Sequence, residues 1–417
     1  MSFQTQHIHT MKGTRESLRA KIGQIVETGA VRRRILQTLL PLFLTLPRRC
    51  NISQLKRWCN YNEGTLHNWL KHDLDLVTYN ADLISQSGSG RYAVLFDPSY
   101  LPKSGKHTPG LGYHWSGQAG AVKRGIEIGC FAVGDFEHHA AFHLNAALTP
   151  SGAELSAQGI TLIGHYVSLV EQNQSSIARF GSVLVCDGYF GVATFIHPVT
   201  ALGLTVVSCL KSNAALYYLP DAAKGAKKQG RPRVKGEKVR WNEVDDTKLP
   251  LVRQDAKERV RAGEVYVKSL KRTVRLVAVE YLKEDGSLQS RKLHFCTDTA
   301  RDWVWILEAY YLRFQIEFLF RDGKQFAGLT HCQSTDKTKL ENHINLSLTA
   351  VSTARVVHWL DEAEKGAFSM TTIKTYYHNL ALLEQFSVAL GLDPTRTKNN
   401  PKIQSILQSN IYIKTAA

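Results

Sequence analysis

The chain has 417 residues, 43% of them hydrophobic and 21% charged, the balance of an ordinary globular protein with a sizeable core and two or three domains. Fifty-two Lys and Arg against 36 Asp and Glu leave a formal charge of +16, which favours a polyanionic partner: DNA or RNA first, an acidic membrane surface second. The start, MSFQTQHIHTMKGTRESLRAK, is polar throughout and offers no signal peptide, and seven scattered cysteines without a C-x-x-C pair argue against a zinc site or a disulfide framework. A reduced cytoplasm is expected.

In chain order, the apolar run Ile35 to Leu46 is too short to span a bilayer and contains Pro41, so a buried helix is expected there. NISQLKRWCNYNEGTLHNWLKH divides into a helix from about Ser53, a break near Asn60–Asn62, and a helix around Gly64 to Lys71. This pair resembles a helix-turn-helix, so residues 1–88 are expected to form a helical DNA-binding domain. SQSGSG at Ser85–Gly90 reads as a linker.

From residue 89 to 210 strands and helices alternate. Expected strands are YAVLFD ending at Asp97, Gly125–Gly134, Ala140–Leu148, Ser182–Asp187 and Leu204–Leu210; expected helices are Gly159 to Phe180 and Gly191–Ala201. The alternation of His138, His139 and His143 suits a strand as well as a set of metal ligands. Three strands, then helix, strand, helix, strand predict an α/β fold: a mixed five-stranded sheet with flanking helices, in the order of a ribonuclease-H-like core. Residues 211–300 begin with the basic loop KGAKKQGRPRVKGEKVR and continue as alternating strands, a β-rich insertion. Residues 301–330 should return to the core as a helix, and 331–417 should form a helical C-terminal region.

The chemistry-bearing residues gather at two places. Asp97 and Asp187 each end a buried strand, and strand C-termini of α/β sheets are where ligands and metals collect. If those strands are neighbours, the two aspartates can share a metal, with Glu317 completing the site. Three carboxylates at one place call for cations, and two Mg²⁺ or Mn²⁺ ions are expected. The second place is YYLRFQIEFLFRDGK, where Tyr310, Arg313, Glu317 and Lys324 stand at offsets 0, 3, 7 and 14. On a helix these fall at roughly 0°, −60°, −20° and −40°, one narrow stripe, while Tyr311, Phe314 and Phe318 lie beside it, placed to pack into a core. A stripe of this kind is also what an amphipathic helix with a solvated charged face presents.

These residues carry a resemblance. Tyr310, Arg313, Glu317 and Lys324 match without a gap the Tyr-x2-Arg-x3-Glu-x6-Lys signature of one branch of the bacterial insertion-sequence transposases of the DDE type. FDPSYLPKSGKHTPGLGYHWSGQAGAVKRGIEIG resembles the segment around that family's first aspartate, and VLVCDGYFG its second-aspartate strand. One departure is Pro98–Ser99, where relatives often carry a polar residue and then Ser or Thr. The resemblance implies that Asp97, Asp187 and Glu317 bind metal, that Arg313 and Lys324 hold phosphates near the scissile end, and that the Tyr310 hydroxyl adds a hydrogen bond. It also implies a cytoplasmic, nucleoid-associated bacterial enzyme that excises its element through a hairpin intermediate.

Further DNA contacts are expected from Lys103 and Lys106, in a Gly/Pro-punctuated loop beyond Asp97, and from Arg231 and Arg233 of GRPR, which resembles the core of a minor-groove hook. Trp241 could stack on a flipped base or sit in a core. The expected function is a DNA transposase that binds terminal inverted repeats, cleaves strands and joins the freed 3′-hydroxyl to new DNA, as a homodimer on double-stranded DNA and without a membrane partner. A catalytically silent DNA-binding regulator and a structure-selective nuclease on the same core are the alternatives.

Overall fold

The computed structural model describes residues 18, 20, 22–23, 30–47, 49–220, 233–361 and 368–408. The apolar run near the start is α1 (Ala30–Thr45), which keeps Pro41 inside the helix. From Leu39 to Leu46 every position is buried. Near its end the Thr45 hydroxyl turns back along the helix and donates to the Pro41 carbonyl at 2.8 Å. Two short helices follow, α2 (Ile52–Arg57) and α3 (Glu63–Trp69), each started by an asparagine. Asn51 accepts from Gln54 N at 3.0 Å and Asn62 from Thr65 N at 2.7 Å, satisfying first-turn amides that a helix leaves open. α4 (Leu76–Ser87) absorbs the first half of the expected linker. The remainder is tied down as well: Ser89 donates through N and Oγ to Asp135 at 2.8 and 2.7 Å.

Five strands make the core sheet: β1 (Tyr92–Pro102), β3 (Ala121–Asp135), β4 (Ala140–Thr149), β5 (Val183–Cys186) and β6 (Thr205–Leu210). They lie in the order β4-β3-β1-β5-β6, antiparallel on the β4-β3-β1 side and parallel from β1 through β5 to β6. The parallel strands are buried on both faces, and VLVC of β5 is apolar at every position for that reason. Between β1 and β3 a short strand, β2 (Gly112–Ser116), forms a hairpin with the start of β3 that sequence reading did not expect. The expected helix over 159–180 is two, α6 (Leu162–Gln172) and α7 (Gln174–Ala178), after the short α5 (Gly152–Ala157). The break is at Asn173, whose side chain turns back to the Leu169 carbonyl at 2.8 Å and accepts from Asn145 on β4 at 2.7 Å. α8 (Ala193–Ala201) links β5 to β6.

The strands after residue 210 do not fold apart. β7 (Leu216–Tyr217), β8 (Leu251–Gln254), β9 (Glu258–Val267), β10 (Arg272–Leu282) and β11 (Leu288–Cys296) extend the same sheet, because β11 pairs antiparallel with β6 from Leu293↔Leu210 to Cys296↔Val207. Among the described residues the result is an 11-stranded sheet. After it come α9 (Trp303–Leu312), α10 (Phe314–Gln325), α11 (Lys337–Asp361), α12 (Met370–Ala389), α13 (Pro394–Lys398) and α14 (Pro401–Gln408). α11 covers the free edge of β4 with side chains that do the work of a neighbouring strand. Asn345 accepts from Ala146 N and donates to Ala146 O, both at 2.8 Å, and Ser352 Oγ accepts from His143 N at 2.8 Å. His143 is therefore a buried structural side chain, bonded to Asn345 at 2.9 Å, and His138 pairs with Asp135 at 2.9 Å. No helix among the described residues is long and apolar enough to cross a membrane.

Candidate active site

The parallel pairing of β1 with β5 ends at Phe96↔Cys186, so the next residue on each strand is an aspartate, Asp97 and Asp187. β1 itself does not end there; it runs on to Pro102 against β3, with Asp97 opposite Cys130. Asp97 thus has a fixed backbone on one side and an opening on the other, where β5 has turned away. Asp187 starts the short 3₁₀ turn Gly188–Phe190 and accepts from Tyr189 N at 2.9 Å, while its carbonyl accepts from Ser208 Oγ at 2.6 Å. Gly191 closes that turn against β6: a Cβ there would stand 2.5 Å from the Cys209 carbonyl oxygen, so only glycine fits.

The helix expected over 301–330 is two, α9 and α10, that meet at Arg313. Its amide bonds back to Tyr310 O at 3.3 Å and its carbonyl accepts from Ile316 N at 3.1 Å, three-residue spacings that tighten the chain at this point. The face of α10 that packs inward carries Ile316, Leu319, Phe320 and Gly323. Tyr311, Phe314 and Phe318 do not reach a core; they are 45%, 53% and 41% exposed. Arg313 is buried instead, and lies between two carboxylates, 3.7 Å from Asp97 and 3.5 Å from Glu317. Its Nε is buried without a hydrogen-bond partner, so the guanidinium is held by charge rather than by a full set of bonds. Lys324 donates to Ser99 Oγ at 3.1 Å, two residues past Asp97 on β1. Tyr310 turns to the sheet, its ring 4.5 Å from that of His294, with a hydrogen bond to Cys209.

The Asp97 carboxyl is pushed up to about 7: burial is the main cause, the Arg313 guanidinium opposes it, and the charges of Asp187, Glu317 and Glu127 add to it. Four carboxylates therefore feel one another across this end of the sheet. Glu127 is a group that sequence reading missed. It is buried on β3 and accepts from the Tyr166 hydroxyl at 2.5 Å. Ser99 was noted only as a departure in the motif, yet it is the partner of Lys324. Both look in sequence like ordinary polar positions on an alternating strand, and the only hint at Ser99 is its place two residues after Asp97.

Carboxylate oxygens where β5 ends beside β1 suit a hard divalent cation such as Mg²⁺ or Mn²⁺, and a buried Asp97 with other carboxylates close by would be stabilised in its charged form by one. Asp97 and Asp187 fit that role. Glu317 is set one guanidinium away, and no group of three His, Cys, Asp or Glu among the described residues is arranged to hold an ion.

The remaining expected contacts fall elsewhere. The Lys103 ammonium donates to the Cys332 carbonyl, which ties the loop after β1 to the segment after α10. Lys106 and Arg233 are exposed, and Arg231 lies outside the described residues. Trp241 is half-buried, with the Arg291 guanidinium 4.1 Å above its ring; Arg291 is itself held by Glu280 at 2.8 Å. One face of Trp241 is thus already covered by a cation.

The transposase DDE domain family matches residues 138–352, more than half of the chain. The match contains Asp187, Arg313, Glu317, Lys324 and every strand added beyond β6, and begins after Asp97. No curated protein matches the chain. With a mixed sheet flanked by helices, two aspartates at neighbouring strand ends and a family match over this span, the chain belongs to the transposase DDE domain family.

Proposed function

We propose that the protein is a DNA transposase of the Tyr-Arg-Glu-Lys branch, which binds the terminal inverted repeats of its element, hydrolyses a strand at each end and joins the freed 3′-hydroxyl to the opposite strand or to target DNA. The observation that carries this reading is the placement of Arg313 between Asp97 and Glu317, at the point where Asp187 leaves the neighbouring strand.

Asp97 and Asp187 would hold a divalent ion, which when bound activates a water or a 3′-hydroxyl and stabilises the leaving oxygen of a phosphodiester. Glu317 is positioned to join them once Arg313 turns to a DNA phosphate, because the guanidinium that now neutralises the two carboxylates is the group best shaped to grip a phosphate in two places. Lys324, anchored on Ser99, offers a second phosphate contact on the same side of the sheet. Tyr310 is packed against His294 and Cys209, and its part is to fix where α9 stops and Arg313 begins. Two ends must be cut and joined in concert, so at least a dimer is expected on DNA; crosslinking on paired ends that gave only monomers would count against it.

The test is a reaction of the full-length protein with duplexes carrying the DNA that flanks its gene on either side, in Mg²⁺ or Mn²⁺. Products in which a freed 3′-end has become joined to a second duplex support a transposase. Cleavage without joining on any end would indicate a nuclease on the same fold, and binding without cleavage a silent regulator.

A further inference from the structure

One residue past Lys324 a separate recess opens. It encloses about 510 Å³ between the segment that follows α1, the turn after α10 and the first turns of α12. Its ionisable lining is entirely basic: Arg49, His331, Lys374 and His378, with Thr371 and Thr375 beside them and no carboxylate. That distinguishes it from the recess around Trp241, where Glu280 and Glu243 stand among the arginines.

Lys374 is the most telling member. It is 8% exposed, and its ammonium donates to the Phe326 carbonyl at 2.5 Å. Lysines often cap the last carbonyls of a helix in this way. That one bond uses a single proton of three, and it gives no account of why Arg49 and two histidines converge on the same space. Burial holds Lys374, His331 and His378 below their ordinary values. The Cys50 amide donates to His331 Nδ1 at 3.1 Å, which leaves the Nε2 of a neutral ring carrying its proton. Thr371 lies in the first turn of α12, a 20-residue helix whose positive dipole end faces an anion favourably. The recess thus offers N–H and O–H groups and positive charge, and the buried Lys374 ammonium is costly unless a negative group joins it.

We propose that this recess is a phosphate-binding site, distinct from the catalytic stripe, that takes either a backbone phosphate of bound DNA or a free phosphate ion. Two arms separate the sources and neither depends on strand cleavage, so the site stands or falls apart from the transposase reading. In the first, inorganic phosphate is added at constant ionic strength against chloride and the melting temperature of the full-length protein is followed. In the second, binding of a duplex is measured by fluorescence anisotropy across a salt series. Arg49→Gln carries both arms because Arg49 is exposed and its substitution is expected to spare the fold; Lys374→Met is the second variant, checked first by circular dichroism since it uncaps α10. Phosphate is expected to raise the wild-type midpoint by roughly 1–4 °C and the variants to lose that rise. If the occupant is a DNA phosphate, the salt slope also falls by roughly 0.9 per variant, the value of one phosphate contact; an unchanged slope with a lost thermal shift assigns the site to free phosphate. A wild-type protein indifferent to phosphate, together with a folded Arg49→Gln that keeps the wild-type slope, would overturn the proposal.

Discussion

Arg313 compensates two carboxylates at once, and that balance can be measured. Removing it leaves Asp97, whose side chain is 17% exposed, without a counter-charge. Truncating one partner of a buried ion pair costs about 3 kcal/mol, most of it the price of stranding the other charge. Arg313→Ala should therefore lower urea stability by about that much, and Asp97→Asn in the same chain should recover most of the loss, because a neutral amide needs no counter-charge. Equal losses in the single and double variants would show that Arg313 acts through packing instead. Asp97 and Asp187 stood out because an aspartate directly after a short apolar run is a distinct pattern, although β1 runs on past Asp97 to Pro102. Glu127 and Ser99 did not, since a polar residue inside an alternating strand carries no mark of the face it meets. The aromatic trio was misjudged for a different reason. Phe314 and Phe318 share one helix with a second apolar set, Ile316, Leu319 and Phe320, on another side, and helix period alone does not say which apolar face meets the core.

At the scale of elements, α11 and the turn after α10 are fixed by histidines that are buried without charge. His143 on β4, His343 on α11 and His294 on β11 are each held down to about 4 by burial. A histidine unfolded near pH 6.5 binds its proton there while the folded one does not, so this stability is present above about pH 6.5 and is lost as pH falls toward 4. Each should withdraw about 2 kcal/mol between pH 7 and pH 5. Asp97 works in the opposite sense over the same window, because its folded value is raised. His343→Gln isolates one contribution: its urea midpoint should fall less steeply with acid than that of the wild type, and parallel curves would contradict the assignment. Gly191→Ala tests the turn that aims Asp187. A methyl group driven onto the Cys209 carbonyl should cost about 1–3 kcal/mol and reduce cleavage further than the lost stability alone explains. The two helices expected from about Ser53 and around Gly64 start at Ile52 and Glu63, one residue earlier, because the apolar spacing and the Asn-rich break that mark them are local. The break at Asn173 was not legible, since it depends on a partner, Asn145, on another strand.

At the scale of the molecule, the sheet and the charge act together. The added strands beyond β6 read in sequence as a β-rich insertion, and their membership of the core sheet rests on the β6–β11 pairing, which joins residues more than eighty positions apart. A strand's sequence says that it will pair and not with which partner, so this continuity was beyond reach. The +16 balance was legible at once, and it sets an expectation for binding: affinity for duplex should fall steeply with salt, log K declining by roughly 0.9 per phosphate held for each decade. The most direct measurement of the central claim is strand cleavage of an end-containing duplex by purified protein in Mg²⁺ or Mn²⁺, comparing wild type with Asp187→Ala and Glu317→Gln. Both variants are expected to bind the duplex and to lose at least roughly 10²–10³-fold in cleavage rate; undiminished cleavage by either one would contradict the placement of the active site where the β1–β5 pairing ends.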